Sequence, residues 1–256
     1  SYIQPEIHDG KDIEIIAGRH PIVEKLIPSG EFVKNNIVFD DKREMIILTG
    51  PNMSGKSTYM KQVALIIIMA HIGSYVPANY AKIGLVDKIF TRVGASDDLL
   101  TGQSTFMLEM SEVANIVNSA TDRSFIILDE IGRGTSTFDG ISIATAITEY
   151  IHERIGAKTI FATHYHELTQ LEDKLDRAEN FRIEVKENKN EIVFLREIVK
   201  GGADKSYGIE VARLAGLPKE ILDRSKSVLK NLEERKEIIE KKLQGEQLIL
   251  LSLIHI

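Results

Sequence analysis

Residues 45–57 read MIILTGPNMSGKS, and this stretch decides the fold. Met45–Thr49 is a continuous apolar run, the signature of a strand buried on both faces of a parallel sheet. It stops at Gly50-Pro-Asn-Met-Ser-Gly55-Lys56-Ser57, which satisfies G-x-x-x-x-G-K-[ST] at every constrained position. From Lys56 to about Ala70 the length and composition are those of a helix, stopping near Gly73. Strand, glycine loop and helix in that order form a phosphate cradle. The glycines let backbone N–H groups curl around the anion, and the helix N-terminus adds a favourable dipole. Lys56 is expected to reach the β- and γ-phosphates of a nucleoside triphosphate, and Ser57 to place its hydroxyl on Mg²⁺.

Two further apolar runs end in polar residues of the right kind. Phe125–Leu128 leads into Asp129-Glu130, and Thr159–Ala162 into Thr163-His164. In a phosphate-loop site the first acid holds Mg²⁺, usually through water, because that ion keeps much of its hydration shell. Glu130, next along a strand-end turn, can aim at the water that attacks the γ-phosphate. A second acid beside the first points to hydrolysis rather than transfer. An acidic pair after a strand is otherwise a solvated turn; the loop is what gives this one meaning. His164 falls at the same edge of the sheet, where open α/β sheets bind their ligands, and is expected to sense the γ-phosphate or polarise the water. His166 is unassigned.

Elsewhere, residues 12–17 and 36–39 read as short strands, 83–93 as a strand–loop region and 105–119 as an amphipathic helix. Another helix follows Asp139. Residues 181–185 and 191–196 flank KENKNE as a β-hairpin. Alternating strands and helices imply a layered α/β domain with a parallel sheet and right-handed crossovers. From about Pro218 the chain is a charged helix whose Leu222, Leu229, Leu232, Ile239 and Leu243 form a narrow apolar stripe. That stripe packs either on its own domain or on a second copy.

The bulk numbers suit a single large domain with appendages. Hydrophobic residues are 43% and charged residues 27% of the 256. A net charge of −6 argues against this chain as the main grip on nucleic acid, and 6% aromatics with no Trp leaves little for base stacking. The absence of Cys excludes disulfides and thiolate metal sites and fits a cytoplasmic setting. The polar start, SYIQPEIHDGKD, lacks an apolar signal core, and the longest apolar stretch, Val63–Ala70, is too short to cross a bilayer. No membrane association is therefore expected. The chain opens on Ser, so an upstream portion is expected. Residues 251–256, LSLIHI, match the translation of a common sequencing adapter and are expected to be artefactual.

Two loops look too specific to be connectors. Ser104, in GQSTFM, stands just before a helix, where a serine and free N–H groups bind an anion or simply cap the helix. Gly132-Arg-Gly-Thr-Ser-Thr-Phe-Asp139-Gly is rich in turn formers, as a switch segment beside a catalytic acid would be.

TGPNMSGKSTYMKQ, RVGASDDLLTGQSTFMLEMSE, LDEIGRGTSTFDG and FATHYHEL, in this order, resemble the ATPase domain of the bacterial MutS family of DNA mismatch repair proteins. GRHP at 18–21 and KSYGIEVARLAGLP at 205–218 belong to the same pattern, and the likeness runs from about residue 10 to 243. It implies a P-loop NTPase of ABC type, a mixed sheet flanked by helices with a C-terminal helical dimerisation segment. Residues 1–205 would be the ATPase domain, with 1–44 a strand subdomain and 45–205 the loop core and hairpin. Residues 206–243 would be a dimerising helix–turn–helix and 244–256 a tail.

The resemblance further implies ATP and Mg²⁺ as ligands. Gly50, Pro51, Asn52, Met53, Ser54, Gly55, Lys56, Ser57 and Thr58 would bind nucleotide. Ser57 and Asp129 would hold the metal, with Glu130 and His164 catalytic. It implies that Phe32, which reads as a core residue on its own, stacks on adenine, and that Ser104 reaches a partner's γ-phosphate. Implied partners are a second copy, mismatched DNA held by regions absent from this chain, and a MutL-type factor, at the nucleoid. A nucleotide-gated dimerisation module like those of chromosome-maintenance ATPases is the competing reading. A transporter ATPase fits less well, since GQSTFM replaces the LSGGQ-type signature.

Overall fold

A computed structural model describes residues 1–51, 53–94, 104–188, 191–203 and 207–234. In chain order the first elements are β1 (Glu6–His8), β2 (Ile13–Gly18), α1 (Val23–Leu26), β3 (Asn35–Phe39), β4 (Met45–Thr49) and α2 (Lys56–His71). Then come β5 (Tyr80–Gly84), β6 (Ile89–Arg92), α3 (Thr105–Ser119), β7 (Phe125–Asp129) and α4 (Thr137–Tyr150). β8 (Lys158–Ala162), β9 (Ala178–Asn188), β10 (Glu191–Lys200) and α5 (Gly208–Leu214) follow, and residues 219–234 are helical.

β4 and β8 are buried at every residue, and β7 at all but its last. Their side chains alternate between two layers, as a period of two requires. Ile46, Leu48, Phe125, Ile127, Ile160 and Ala162 join one core with α2; Met45, Ile47, Ile126, Leu128 and Phe161 join another with Val113 and Ile116 of α3 and Ala144 of α4. The six-stranded sheet runs β10-β9-β4-β8-β7-β6. All neighbours are parallel except the β9–β10 hairpin, so the sheet is mixed, as the family resemblance implied, where the alternation of strands and helices alone implied a parallel one. The antiparallel strand lies at the edge, where it covers β9.

A second sheet, β1-β5-β2-β3, packs on the other side of α2. Helix α2 is therefore apolar on most of its circumference, burying Tyr59, Met60, Val63, Ala64, Ile66, Ile67 and Ala70. Burying an Ile such as Ile67 contributes roughly 1.5–3 kcal/mol. Phe39 of the smaller sheet meets Phe125 of the larger edge-to-face, ring centres 6.0 Å apart. The sheet that begins within residues 1–44 also takes in β5, so the predicted 83–93 region is two strands belonging to different sheets. β1 lacked any sequence signal. The hairpin is longer than its alternation suggested, and a bulge interrupts its register between Phe194 and Ile198.

From Tyr207 onward the chain forms its own compact unit, whose described part is α5, a turn through Gly216 (φ 87°) and the helix over 219–234. Leu222 is buried there, while Leu214, Leu217, Ile221, Leu229 and Leu232 are exposed. Ile239, Leu243 and the 251–256 tail lie outside the described residues. Among the described residues no helix is long and apolar enough to cross a membrane.

Candidate functional site

Strand register brings the site together. Leu48 pairs with Ala162, and Ala162 with Asp129, so β4, β7 and β8 end level with one another. The three segments that follow, 50–57, Glu130 and Thr163-His164, are thereby delivered to one edge of the sheet. Two backbone bonds fix the level: Glu130 N donates to Ala162 O at 2.8 Å and Thr163 N to Leu48 O at 3.0 Å.

The loop between β4 and α2 turns through three positive φ values, at Gly50, Met53 and Gly55. Gly55, at φ 111°, is the N-cap of α2 and offers no side chain to cap it. The first-turn N–H groups of α2 thus carry no capping acceptor, the condition for receiving an anion. Ser54 is buried and donates to Pro51 O at 2.7 Å. Lys56 is 4% exposed and folds back over the loop, its Nζ donating to Gly50 O at 2.6 Å and Pro51 O at 3.1 Å. Burial lowers the Lys56 pKa, against the opposing charges of Glu130 and Asp129. Asn52 lies outside the described residues.

Ser57 Oγ donates to Asp129 Oδ2 at 2.8 Å. Asp129 Oδ1 is buried with no hydrogen-bond partner. Burial pushes the Asp129 pKa up, more strongly than the Ser57 hydrogen bond lowers it. A buried carboxylate oxygen without a donor costs ~1–3 kcal/mol, and a hydrated cation beside Ser57 and Asp129 would satisfy it. No group of three or more His, Asp or Glu suited to a metal occurs among the described residues.

Glu130 has φ 59°, a left-handed conformation that costs a non-glycine residue of order 1–3 kcal/mol. Its carboxylate is held by His164 Nε2 on one oxygen and Arg133 Nη1 on the other. Burial raises its pKa, but the hydrogen bond and charge of His164, with Arg133 and Lys56, outweigh this and hold the carboxyl below its ordinary value. Glu130, Arg133, Thr163, His164 and Tyr165 line a cavity of roughly 210 Å³. The sequence reading missed Arg133, although an i,i+3 basic residue after Glu130 was a usable signal.

The 132–140 loop is fastened behind these residues. Glu109 of α3 accepts from Gly132 N at 2.6 Å, and Tyr165 Oη donates to Gly132 O at 2.8 Å. Gly132 and Gly140 approach so closely that a Cβ on Gly140 would stand 2.4 Å from Gly132 O. Ser104 caps α3, its Oγ accepting from Met107 N at 3.1 Å, and it is exposed. It does not line the Glu130–His164 cavity. Phe138, near the start of α4, is 84% exposed.

A second cavity, roughly 330 Å³, begins at Met53, Gly55 and Thr58 and is walled by Phe32, Val33, Asn35, Tyr59, Gln62 and Arg196. Phe32 is thus placed beside the loop rather than in the core. Val23 and Ile27 add apolar lining. Between them and β2, His20 Nδ1 accepts from Ile22 N and Val23 N, and Arg19 pairs with Glu24 at 2.7 Å; this is the local work of GRHP. Arg196 reaches the wall from the β10 bulge, at φ 57°. Asn35 holds that bulge, donating to Arg196 O at 2.9 Å and accepting from Ile198 N at 2.8 Å. Sequence reasoning could not find this pairing, since 161 residues separate the two.

Comparison with known proteins agrees with the sequence resemblance. The family model described as MutS domain V matches residues 46–233. The DNA mismatch repair protein MutS of Fusobacterium nucleatum is 76% identical over 250 residues, covering 98% of this chain and 28% of that protein. Its counterpart in Thermodesulfovibrio yellowstonii is 62% identical over 242 residues, covering 92% and 28%. That of Acetivibrio thermocellus is 61% identical over 235 residues, covering 91% and 27%. The chain spans little more than a quarter of the length of these relatives. With a family model matching most of its residues and relatives this similar along nearly all of them, the chain belongs to the MutS family, within the region described as domain V.

Proposed function

We propose that this chain binds and hydrolyses ATP as a P-loop NTPase of ABC type, and that its nucleotide state controls a dimeric mismatch-repair clamp. The observation that carries the reading is the meeting of Lys56, Ser57, Asp129, Glu130 and His164 at one sheet edge beside an uncapped helix N-terminus, with one Asp129 oxygen left unpaired.

The uncapped N–H groups of α2 and the Lys56 ammonium bind the phosphates, Lys56 exchanging its two loop carbonyls for phosphate oxygens. Ser57 and Asp129 hold Mg²⁺, which when bound neutralises charge on the phosphates. Phe32 packs against the adenine, and Asn52, Met53, Ser54 and Thr58 complete the loop's contacts. Glu130, kept ionised at neutral pH, orients a water and accepts its proton as the water oxygen bonds to the γ-phosphorus. The bond from that phosphorus to the bridging oxygen breaks, and ADP leaves. His164, bonded to the same carboxylate, holds Glu130 in place and can donate to a γ-phosphate oxygen.

Ser104, exposed at the start of α3, is assigned to the γ-phosphate of a second copy. Residues 1–205 form the ATPase domain and 206–243 the dimerising helix–turn–helix, in which Leu214, Leu217, Ile221, Leu229 and Leu232 stand exposed. Because the relatives are named DNA mismatch repair proteins, mismatched DNA is proposed to be held by regions beyond this chain. A MutL-type factor at the nucleoid is proposed to read the ATP state. Phosphate release from Mg²⁺·ATP, compared between wild type and Lys56→Ala, tests the core of this reading. The substitution is expected to abolish release; release that continues at the wild-type rate would sink it.

A further inference from the structure

Gln62 is 2% exposed in the interior of α2, on the wall of the larger cavity beside Tyr59. Its amide makes no hydrogen bond among the described residues. Buried amides are nearly always paired, so an amide kept here without a protein partner implies one supplied from the cavity.

Two features locate the amide. Gly55, Thr58, Tyr59 and Gln62 recur at three- and four-residue spacing, so all line the cavity from one face of the helix. At 1.5 Å per residue Gln62 lies ~10 Å along the axis from Gly55, away from the phosphate loop. Behind the amide stands Gly18, where a Cβ would come within 2.9 Å of Gln62 Nε2. The glycine of GRHP leaves the space the amide occupies.

We propose that Gln62 recognises the hydrogen-bonding edge of the base. Its carbonyl accepts from the 6-amino group of adenine, and its NH₂ donates to an adjacent ring nitrogen. An amide presents one acceptor and one donor side by side, the complement of that edge. The inference rests on the nucleotide reading above and deepens it, by naming what selects the base.

The test is equilibrium binding by calorimetry to the full chain of two probes, ADP and purine riboside 5′-diphosphate, which lacks the 6-amino group. Wild type is expected to prefer ADP about tenfold, the effect of one hydrogen bond to a buried group. Gln62→Met loses both bonds to ADP and the ring-nitrogen bond to the purine analogue, so it is expected to weaken ADP about tenfold more than the analogue, and the preference disappears. A preference that survives in Gln62→Met overturns the proposal. So does a wild type that binds both probes equally, a result needing no variant to fold. Failure of the nucleotide reading itself looks different: the wild type then binds neither diphosphate.

Discussion

The two ends of the proposed nucleotide cleft are made in different ways. The phosphate end is assembled from three short runs, each directly following a buried strand. Its polar groups are tied to one another: Ser57 to Asp129, and Glu130 to both His164 and Arg133. The base end is drawn from α1, residues 32–35, the face of α2 and the β10 bulge, and its lining is largely apolar. Charge chemistry needs groups fixed at defined positions, which level strand ends provide. Holding a flat ring needs only a slot of the right shape, and distant segments can supply that.

If the difference is real, substitutions at the two ends should fail differently. At the phosphate end a large effect on turnover is expected from His164→Ala. Losing the residue that holds Glu130 should slow turnover by roughly 10²-fold while leaving nucleotide affinity nearly unchanged. A rise in KM with kcat intact would instead assign His164 to binding. Phe32→Ala should do the reverse, weakening ADP binding about 10–30-fold, the loss expected from removing an aromatic wall, with saturated turnover little altered. Calorimetry and steady-state kinetics on the same variant separate the two.

The smallest effect concerns stability. Burial raises the Asp129 pKa, so the folded state holds this proton more tightly than the unfolded chain. Asp129 then costs stability progressively as pH rises above about 3.8, and that cost is fully present at neutral pH. Asp129→Asn should therefore raise Tm by ~2–4 °C at pH 7, the shift given by ~1 kcal/mol in a domain of this size, while removing Mg²⁺-dependent turnover. The gain should vanish near pH 3. Unchanged Tm at pH 7 would mean that Asp129 carries no electrostatic strain in the absence of metal.

The same contrast explains what the sequence disclosed. β4, β7 and β8 were legible because strands covered on both faces are written as unbroken apolar runs. The residues after them were legible because a fixed chemistry demands fixed neighbours along the chain. The base end was not: Asn35 meets the 196–198 bulge across 161 residues, and no local pattern encodes that meeting. Phe32 looked like core from its own neighbourhood and stands instead on a cavity wall. Ser104 supported two readings, and the structure shows the helix-capping bond while the role toward a second copy is proposed. β1 pairs in parallel with β5, yet three partly exposed residues leave no periodicity to detect. Arg133 was overlooked although it lies one turn from the acid it pairs with.

Glu130, strained at φ 59° and held by His164, is proposed to activate water. Single-turnover hydrolysis of Mg²⁺·ATP by Glu130→Gln tests this directly, with ATP affinity measured on the same sample. The variant keeps the shape and loses the basic oxygen, so it is expected to bind ATP as wild type does and hydrolyse it at least ~10²-fold more slowly. Hydrolysis at the wild-type rate would contradict the account.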